Sequence, residues 1–78
     1  SLSDKMEELE SYAAEHRHFS FRNLLERQHS RMQVIVTFLA VLELMKTGKI
    51  TVSQEHLFDD IQIESHITDT NDTGQGEK

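Results

Sequence analysis

The sequence predicts a mainly α (α+β) domain of the winged-helix type, in which three helices are followed by a two-stranded β wing. Two patterns along the chain favour this fold. Before Gly48, apolar residues recur at spacings of three and four in three segments, which is the period of an amphipathic helix. After Gly48, apolar and polar residues alternate in two short segments, as they do in half-buried strands. A chain of 78 residues has room for one small domain.

The first helix is predicted to run from about residue 3 to residue 16. Asp4 and Glu7 stand three residues apart at its start, in the relation of the N-cap and N3 residues of a capping box. The apolar face of this helix carries Met6, Leu9, Tyr12 and Ala13.

The second and third helices each follow a serine that can act as an N-cap. Ser20 precedes a short second helix over residues 21–27. Ser30 and Gln33 match the S-x-x-Q capping box at the start of a long third helix. Gly48 stands where helices commonly end on a residue with a left-handed backbone, so we expect the third helix to end just before it.

The wing is predicted from two segments in which apolar residues occupy every second position. Residues 49–53 and 60–64 have this pattern and are expected to form two antiparallel strands. Phe19 is placed to supply a short third strand between the first two helices. The loop that joins the wing strands is long for a tight hairpin, and it carries Leu57 and Phe58 at its tip, where solvated residues are normally expected.

Residues 65–78 are predicted to form a disordered acidic tail, because Ile67 is the only apolar residue in this segment. The folded domain is therefore expected over residues 1–64. The first methionine, Met6, lies inside the first helical pattern, so we expect the chain to be a part of a longer protein. Within the domain, the segment that contains the first helix takes up residues 1–18, and the other helices and the wing take up residues 19–64.

Composition argues against several classes of protein. Fourteen acidic residues against eight basic ones give a net charge of −6, whereas binding to duplex DNA relies on clustered Lys and Arg. There is no cysteine, so disulfides and thiolate metal sites are excluded. No apolar run approaches the roughly 20 residues that span a bilayer, and no signal-peptide pattern opens the chain. We therefore expect no membrane partner.

No arrangement of residues in the sequence indicates catalysis, a cofactor or a metal. His16, His18 and His29 come nearest to a metal-binding set. However, a spacing of two does not align side chains on a helix, and no carboxylate accompanies these histidines in a zinc-like pattern. No serine lies in a nucleophile motif, and no glycine-rich phosphate loop is present. We therefore predict that the chain is not an enzyme.

The third helix is more apolar than packing on one side requires. Placing its residues at intervals of about 100° gives an apolar arc of about 160°, wider than the roughly 100° stripe of one-sided packing. The helix is either the central core helix of a tiny domain or a core helix with one edge left for a partner, and both can hold together. The remaining side carries Gln33, Thr37, Glu43 and Thr47, with Val36 and Leu44 among them.

Residues 37–63, TFLAVLELMKTGKITVSQEHLFDDIQI, closely resemble the C-terminal domain of bacterial segregation and condensation protein A, the kleisin subunit of the SMC condensin. That family carries an F-L-A-x-L-E-L run, a basic residue, a glycine, a strand ending in Gln, and an F-x-D-I run. A preceding F-x-x-L-L stretch extends the resemblance to residues 19–63. His56 and Leu57 depart from it, because many members have Glu-Pro there. The matching residues are Phe38, Leu39, Ala40, Leu42, Glu43, Leu44, Lys46, Gly48, Gln54, Phe58, Asp60 and Ile61.

The resemblance implies an adaptor role. In that family the C-terminal winged helix docks on the ATPase head of one SMC protein, and the N-terminal domain of the kleisin holds the neck of the other. The middle region binds the dimeric segregation and condensation protein B, and the ring so formed acts in chromosome condensation and segregation. The implied partners are thus an SMC head for this chain and protein B for a region outside it. The implied location is cytoplasmic and nucleoid-associated.

We expect the SMC contact on one shoulder of the apolar arc together with the wing. That shoulder borders the uncharged Thr37 and Leu44. The opposite shoulder, near Leu39, borders Glu43 and Lys46, and charges at a docking face would lose water without assured partners. The other interpretation is that the shoulder residues are ordinary core. The predicted partner-binding residues are Val34, Phe38, Val41, Leu42, Met45, Leu57, Phe58 and Ile61.

A DNA-binding winged helix, as in a regulatory protein, is the alternative from another functional class. Its third helix would project basic or amide side chains toward base edges, whereas the polar side here offers mainly threonine and glutamate. Arg22, Arg27 and Arg31 form the only loose basic cluster, which is typical of a solvated surface. We therefore expect no direct DNA binding by this domain.

Overall fold

The computed structural model describes residues 1–67 of the chain. Three helices and a three-stranded antiparallel sheet appear in the order expected for a winged helix, which confirms the predicted fold class. The short third strand predicted around Phe19 is present and lies between the first two helices. The elements in chain order are α1 (Leu2–Glu15), β1 (His18–Ser20), α2 (Phe21–Glu26), α3 (Arg31–Lys46), β2 (Ile50–Ser53) and β3 (Gln62–Ser65).

Serine side chains cap all three helices. Ser20 and Ser30 cap α2 and α3 as predicted, because each hydroxyl accepts a hydrogen bond at 3.1 Å from the backbone N–H three residues further on. The cap predicted for α1 is wrong. Ser1, not Asp4, is the N-cap: the Ser1 hydroxyl accepts from the Asp4 N–H at 3.3 Å, which places Asp4 at N3. The N-cap and N3 residues are therefore Ser1 and Asp4, one helical turn before the predicted pair Asp4 and Glu7.

α3 ends just before Gly48, as the sequence predicts. Gly48 has a φ of 78°, and a residue without a Cβ adopts this left-handed backbone at little cost. Its N–H donates to the Met45 carbonyl at 3.1 Å, and the Lys49 N–H donates to the Leu44 carbonyl at 2.9 Å. These two bonds satisfy carbonyls of the last helical turn and turn the chain directly into β2.

The sheet has the strand order β1-β3-β2. Phe19 pairs with Ile63 on one side of β3, and Val52 pairs with Ile63 on the other. The central strand begins at Gln62, two residues later than the sequence predicts. Asp60 is directed to the start of α2 instead of the β ladder, where its carboxylate accepts hydrogen bonds from the Ser20 hydroxyl and the Arg22 N–H.

The core lies between α1, α3 and the inner face of the sheet. Small residues on both helices, Ala13 on α1 and Ala40 on α3, let the two backbones approach closely. The sheet contributes Ile50 and Ile63, which follow the alternation of each strand. The buried apolar cluster consists of Leu9, Ala13, Leu24, Ala40, Val41, Leu44, Ile50 and Ile63.

The side of α3 that faces the core differs from the expectation. Thr37 and Leu44 were expected on the polar side of the helix, yet they are 0% and 1% exposed. Ile35, Leu39 and Leu42, near the middle and far shoulder of the apolar arc, are exposed instead. The physical reason is the size of the side chains. The side of α3 that carries Thr37 and Ala40 has small side chains and can pack closely against α1, whereas the side with the largest apolar residues would hold the two helices further apart.

The folded part of the chain continues past the predicted boundary at residue 64. Ser65 belongs to β3 and is buried, and the His66 N–H donates to the Lys49 carbonyl at 2.9 Å. Ile67 packs against the core. The remaining stretch of the predicted tail, residues 68–78, lies outside the described residues. Among residues 1–67, no helix has the length and hydropathy needed to cross a membrane.

Candidate docking groove between the third helix and the wing

An apolar groove opens on the surface where α3 meets the base of the wing. Its volume is about 180 Å³. All of its lining residues are apolar, and they come from α2, α3, β2 and the residue before β3. This docking groove is lined by Phe21, Phe38, Val41, Leu42, Met45, Val52 and Ile61.

The wall formed by α3 follows directly from helical spacing. Val41 and Leu42 follow Phe38 by three and four residues, and Met45 follows them by four and three, so all four lie along one side of the helix. Val41 is 4% exposed and belongs to the core, whereas Phe38 and Leu42 are 46% and 40% exposed. Val41 therefore lies at the inner end of the groove, and the two larger side chains form its accessible edge.

The opposite wall continues the inner face of the sheet. Ile50 and Val52 share one face of β2 because they are two residues apart, but Ile50 is 2% exposed and Val52 is 37% exposed. Likewise, Ile63 is fully buried whereas Ile61 is half-buried. The docking groove thus continues the hydrophobic core to a region where the helices no longer cover the inner face of the sheet.

Phe21 closes the end of the groove. It is the first residue of α2, and its ring centre lies 6.0 Å from that of Phe38 in a tilted arrangement. The Phe21 N–H donates to the Ile61 carbonyl at 2.9 Å, which ties this ring to the base of the wing. A backbone hydrogen bond and side-chain packing therefore both fix the position of Phe21 at the groove.

Asp60 anchors the wing to α2 beside the groove. Its carboxylate accepts from the Ser20 hydroxyl and, at 3.1 Å, from the Arg22 N–H. The Ser20 hydrogen bond is the largest cause that holds the pKa of Asp60 below its ordinary value, and the Arg22 N–H adds to it, while partial burial opposes the shift. The ionised carboxylate thus fixes where Ile61 and the wing begin.

The tip of the wing has its own hydrogen bonds. The Gln54 side-chain N–H donates to the carbonyls of Leu57 at 2.9 Å and Asp59 at 2.7 Å. The ring of His56 lies 3.0 Å from a carboxylate oxygen of Asp59. These contacts order the segment where His56 and Leu57 depart from the family pattern, and they leave Leu57 76% exposed and Phe58 91% exposed.

The structure brings five of the eight predicted partner-binding residues into the docking groove. Leu57 and Phe58 lie at the exposed wing tip, outside the lining, and the half-buried Val34 is not part of the lining either. Phe21 and Val52 were missed. Val52 alternates with Ile50 and could have been found as a second residue on the same strand face. The five residues that line the groove are Phe38, Val41, Leu42, Met45 and Ile61.

One group of possible metal ligands was not considered from the sequence. Glu55, His56 and Asp59 in the wing place one ligand atom each within 4.8 Å of one another, and all three are exposed. Two of the three histidines named from the sequence have other contacts: His16 stacks on Tyr12 with ring centres 4.0 Å apart, and His18 lies 3.8 Å from Glu64. The wing group is best explained by the His56–Asp59 contact that orders the loop.

Fold and groove together define a small winged-helix domain that leaves an apolar recess open between its third helix and its wing. The family described as segregation and condensation protein ScpA matches residues 1–66 of the chain. Because this match covers most of the chain, the chain belongs to the family of segregation and condensation protein ScpA, which confirms the resemblance found in the sequence.

Several individual members of the family are similar to this chain. Segregation and condensation protein A of Clostridium acetobutylicum is 38% identical over 63 residues, which is 81% of this chain and 25% of that protein. The protein of the same name from Halothermothrix orenii is 46% identical over 46 residues, 59% of this chain and 19% of that protein. Segregation and condensation protein A of Bacillus cereus is 58% identical over 33 residues, which is 42% of this chain and 13% of that protein. The chain thus spans a quarter or less of the length of these relatives.

Proposed function

We propose that this chain is the C-terminal winged-helix domain of a kleisin and that it docks on the ATPase head of an SMC protein through the docking groove. The single observation that carries this proposal is an apolar recess at the surface, built by residues that coincide with five of the expected contact positions. Membership of the ScpA family supports it. The proposal assigns the domain a binding role and no catalytic step.

The size of the groove favours an anchoring side chain from the partner. About 150 Å³ of apolar cavity holds a benzene ring, so a groove of about 180 Å³ accepts one aromatic or branched aliphatic side chain. Burying such an anchor in a recess that excludes water is the arrangement in which a few residues supply most of the binding free energy.

The wing tip widens the contact. Leu57 and Phe58 are the most exposed large apolar residues of residues 1–67, and Gln54 holds the loop that carries them. A stable interface covers about 800 Å² on each partner, which is more than the groove alone provides. We infer that the wing tip is the second part of the same docking surface, as the sequence led us to expect.

Docking of this domain would close the ring of an SMC–kleisin complex used in chromosome condensation and segregation. In that arrangement segregation and condensation protein B binds a region of the kleisin outside this chain, and the assembly acts on the nucleoid in the cytoplasm. Direct DNA binding is disfavoured for the domain itself, because the exposed side of α3 presents Phe38, Leu39 and Leu42 where base-reading donors would be required.

Calorimetric titration of this chain into a purified SMC head domain tests the proposal. Leu42→Glu places a charge at the edge of the groove and should weaken binding by at least about 100-fold, because the carboxylate would be buried without a partner. Met32→Glu is the matched control, since Met32 is on the same helix, 64% exposed and outside the groove. Equal affinities for the two variants would overturn the assignment of the groove.

A further inference from the structure

A second cleft lies on the α1 side of the domain and shares no lining residue with the docking groove. It opens between α1 and the turn that joins α2 to α3, and its volume is about 480 Å³. Leu9 and Leu24, both buried, supply its apolar part together with the ring of Tyr12. The rest of its lining is polar, in contrast to the docking groove: it consists of basic residues, two glutamines and one glutamate, Glu8.

Lys5 is fixed in the wall of this cleft. It is 7% exposed, which is rare for a lysine. Its ammonium group donates to a carboxylate oxygen of Glu8 at 3.2 Å and to the side-chain carbonyl of Gln28 at 3.1 Å. The Gln28 side-chain N–H donates in turn to the Leu24 carbonyl at 2.9 Å, which orients the amide. The positive charge of Lys5 is therefore held in place.

Arg27 and His29 bring further donors to the same cleft. The guanidinium carbon of Arg27 lies 4.9 Å from the centre of the Tyr12 ring, a cation–π contact that orients the group. Within residues 1–67, no carboxylate oxygen lies within 4.0 Å of this guanidinium. His29 is exposed beside it, and an imidazole ring provides at least one N–H donor.

The charge of the cleft is opposite to that of the chain. The chain carries a net charge of −6, whereas the cleft is lined by Lys5, Arg27 and His29 against one acidic residue of the described chain, Glu8. That carboxylate is already paired with Lys5. Hydrogen-bond donors of basic side chains thus lie together in one cleft of an acidic chain. An anion bound there would contact the guanidinium of Arg27, which has no carboxylate partner among residues 1–67.

The geometry points to a binding site for a single oxyanion in this cleft, with Arg27 as the main ligand, His29 as a second donor and Lys5 as a fixed positive charge. The oxyanion is a phosphate group or the carboxylate of an acidic side chain. A planar guanidinium can bind two oxygens of either group with two parallel N–H donors. This site is independent of the SMC-docking proposal.

Titration of the ¹⁵N-labelled chain with sodium phosphate, and separately with sodium acetate, tests the site at constant ionic strength adjusted with sodium chloride. We expect saturable changes in the amide signals of residues 27–29. Tighter binding of phosphate would favour a phosphate group as the bound oxyanion, and acetate binding of equal or greater strength would favour a carboxylate. Changes that do not saturate for either anion would overturn the proposal.

Arg27→Gln should weaken binding of the better anion by about tenfold, because a hydrogen-bonded charge is lost. Arg22→Gln makes the same change on α2 but outside the cleft, and it should bind as the unmodified chain does. His29→Gln, at an exposed position, provides a second variant that should keep the fold and also weaken binding. Equal binding by all three variants would show that the cleft is not the site.

Discussion

Thr37 is a buried polar residue whose hydroxyl has no hydrogen-bond partner within residues 1–67. Its side chain is fully buried on the side of α3 that packs against the core. A hydroxyl removed from water without a partner reduces stability. Thr37→Val keeps the branched shape and removes the hydroxyl, so we expect the free energy of unfolding to rise by about 1 kcal/mol in urea denaturation.

Thr47→Val is the matched control for this substitution. The Thr47 hydroxyl donates to the Leu44 carbonyl at 3.1 Å and lies near the Glu43 carbonyl at 3.3 Å. Loss of that hydrogen bond should lower the free energy of unfolding, in contrast to the gain at Thr37. A loss at both positions would mean that the Thr37 hydroxyl is satisfied in solution.

Asp60 should make the stability of the domain depend on pH in the acid range. Its folded-state pKa lies below the ordinary value of 3.8, so the folded state favours the ionised carboxylate. The contribution is therefore present above about pH 4 and is lost as the pH falls through the folded-state pKa. Unfolding free energies of the unmodified chain and Asp60→Asn should differ at pH 6 and converge near pH 2. A constant difference would contradict this linkage.

Two leucine substitutions on α3 distinguish the face that packs in the core from the face that lines the groove. Leu44 is 1% exposed, and Leu42 is 40% exposed two residues earlier. Leu44→Ala should lower the free energy of unfolding by about 2–5 kcal/mol, because it leaves a cavity in the core. Leu42→Ala should cost about 1 kcal/mol or less while weakening binding to the SMC head. Equal losses in urea denaturation would mean that the groove is part of the closed core.

The element order, the caps at Ser20 and Ser30 and the end of α3 at Gly48 were all predictable from the sequence, because each depends on residues a few positions apart. The orientation of α3 was not. A helical wheel shows how wide the apolar arc is, but small residues such as Ala40 decide which side fits against α1. Phe21 joined the groove through a contact with α3 that no local pattern reveals.

The wing tip should contribute to binding of the SMC head but not to the stability of the fold. Phe58 is 91% exposed and its loop is ordered by Gln54 rather than by the ring itself. Phe58→Ala should therefore change the free energy of unfolding by no more than about 0.5 kcal/mol. In calorimetric titration with the SMC head it should weaken binding at least about fivefold, since it removes a large apolar contact. Unchanged binding would confine the docking surface to the groove.

Apolar exposure over the whole molecule is concentrated and not scattered. The large exposed apolar residues of the described chain lie mainly on α3 and at the wing tip, and the groove lies between these two elements. This concentration supports the proposal that the side of the domain carrying the groove is a binding face. The core of so small a domain leaves one side of its central helix uncovered, and that side is the one available to a partner.

The charge distribution of the whole molecule predicts that the domain does not bind duplex DNA at about 150 mM salt. Affinity for a duplex depends on several basic side chains that follow the phosphate backbone and release its counterions. This chain has a net charge of −6, and the basic residues around Arg27 are gathered in one cleft that suits a single anion. Fluorescence anisotropy of a labelled duplex should therefore stay constant on addition of the chain. Micromolar binding that weakens with added salt would instead favour the DNA-binding alternative and contradict the adaptor role.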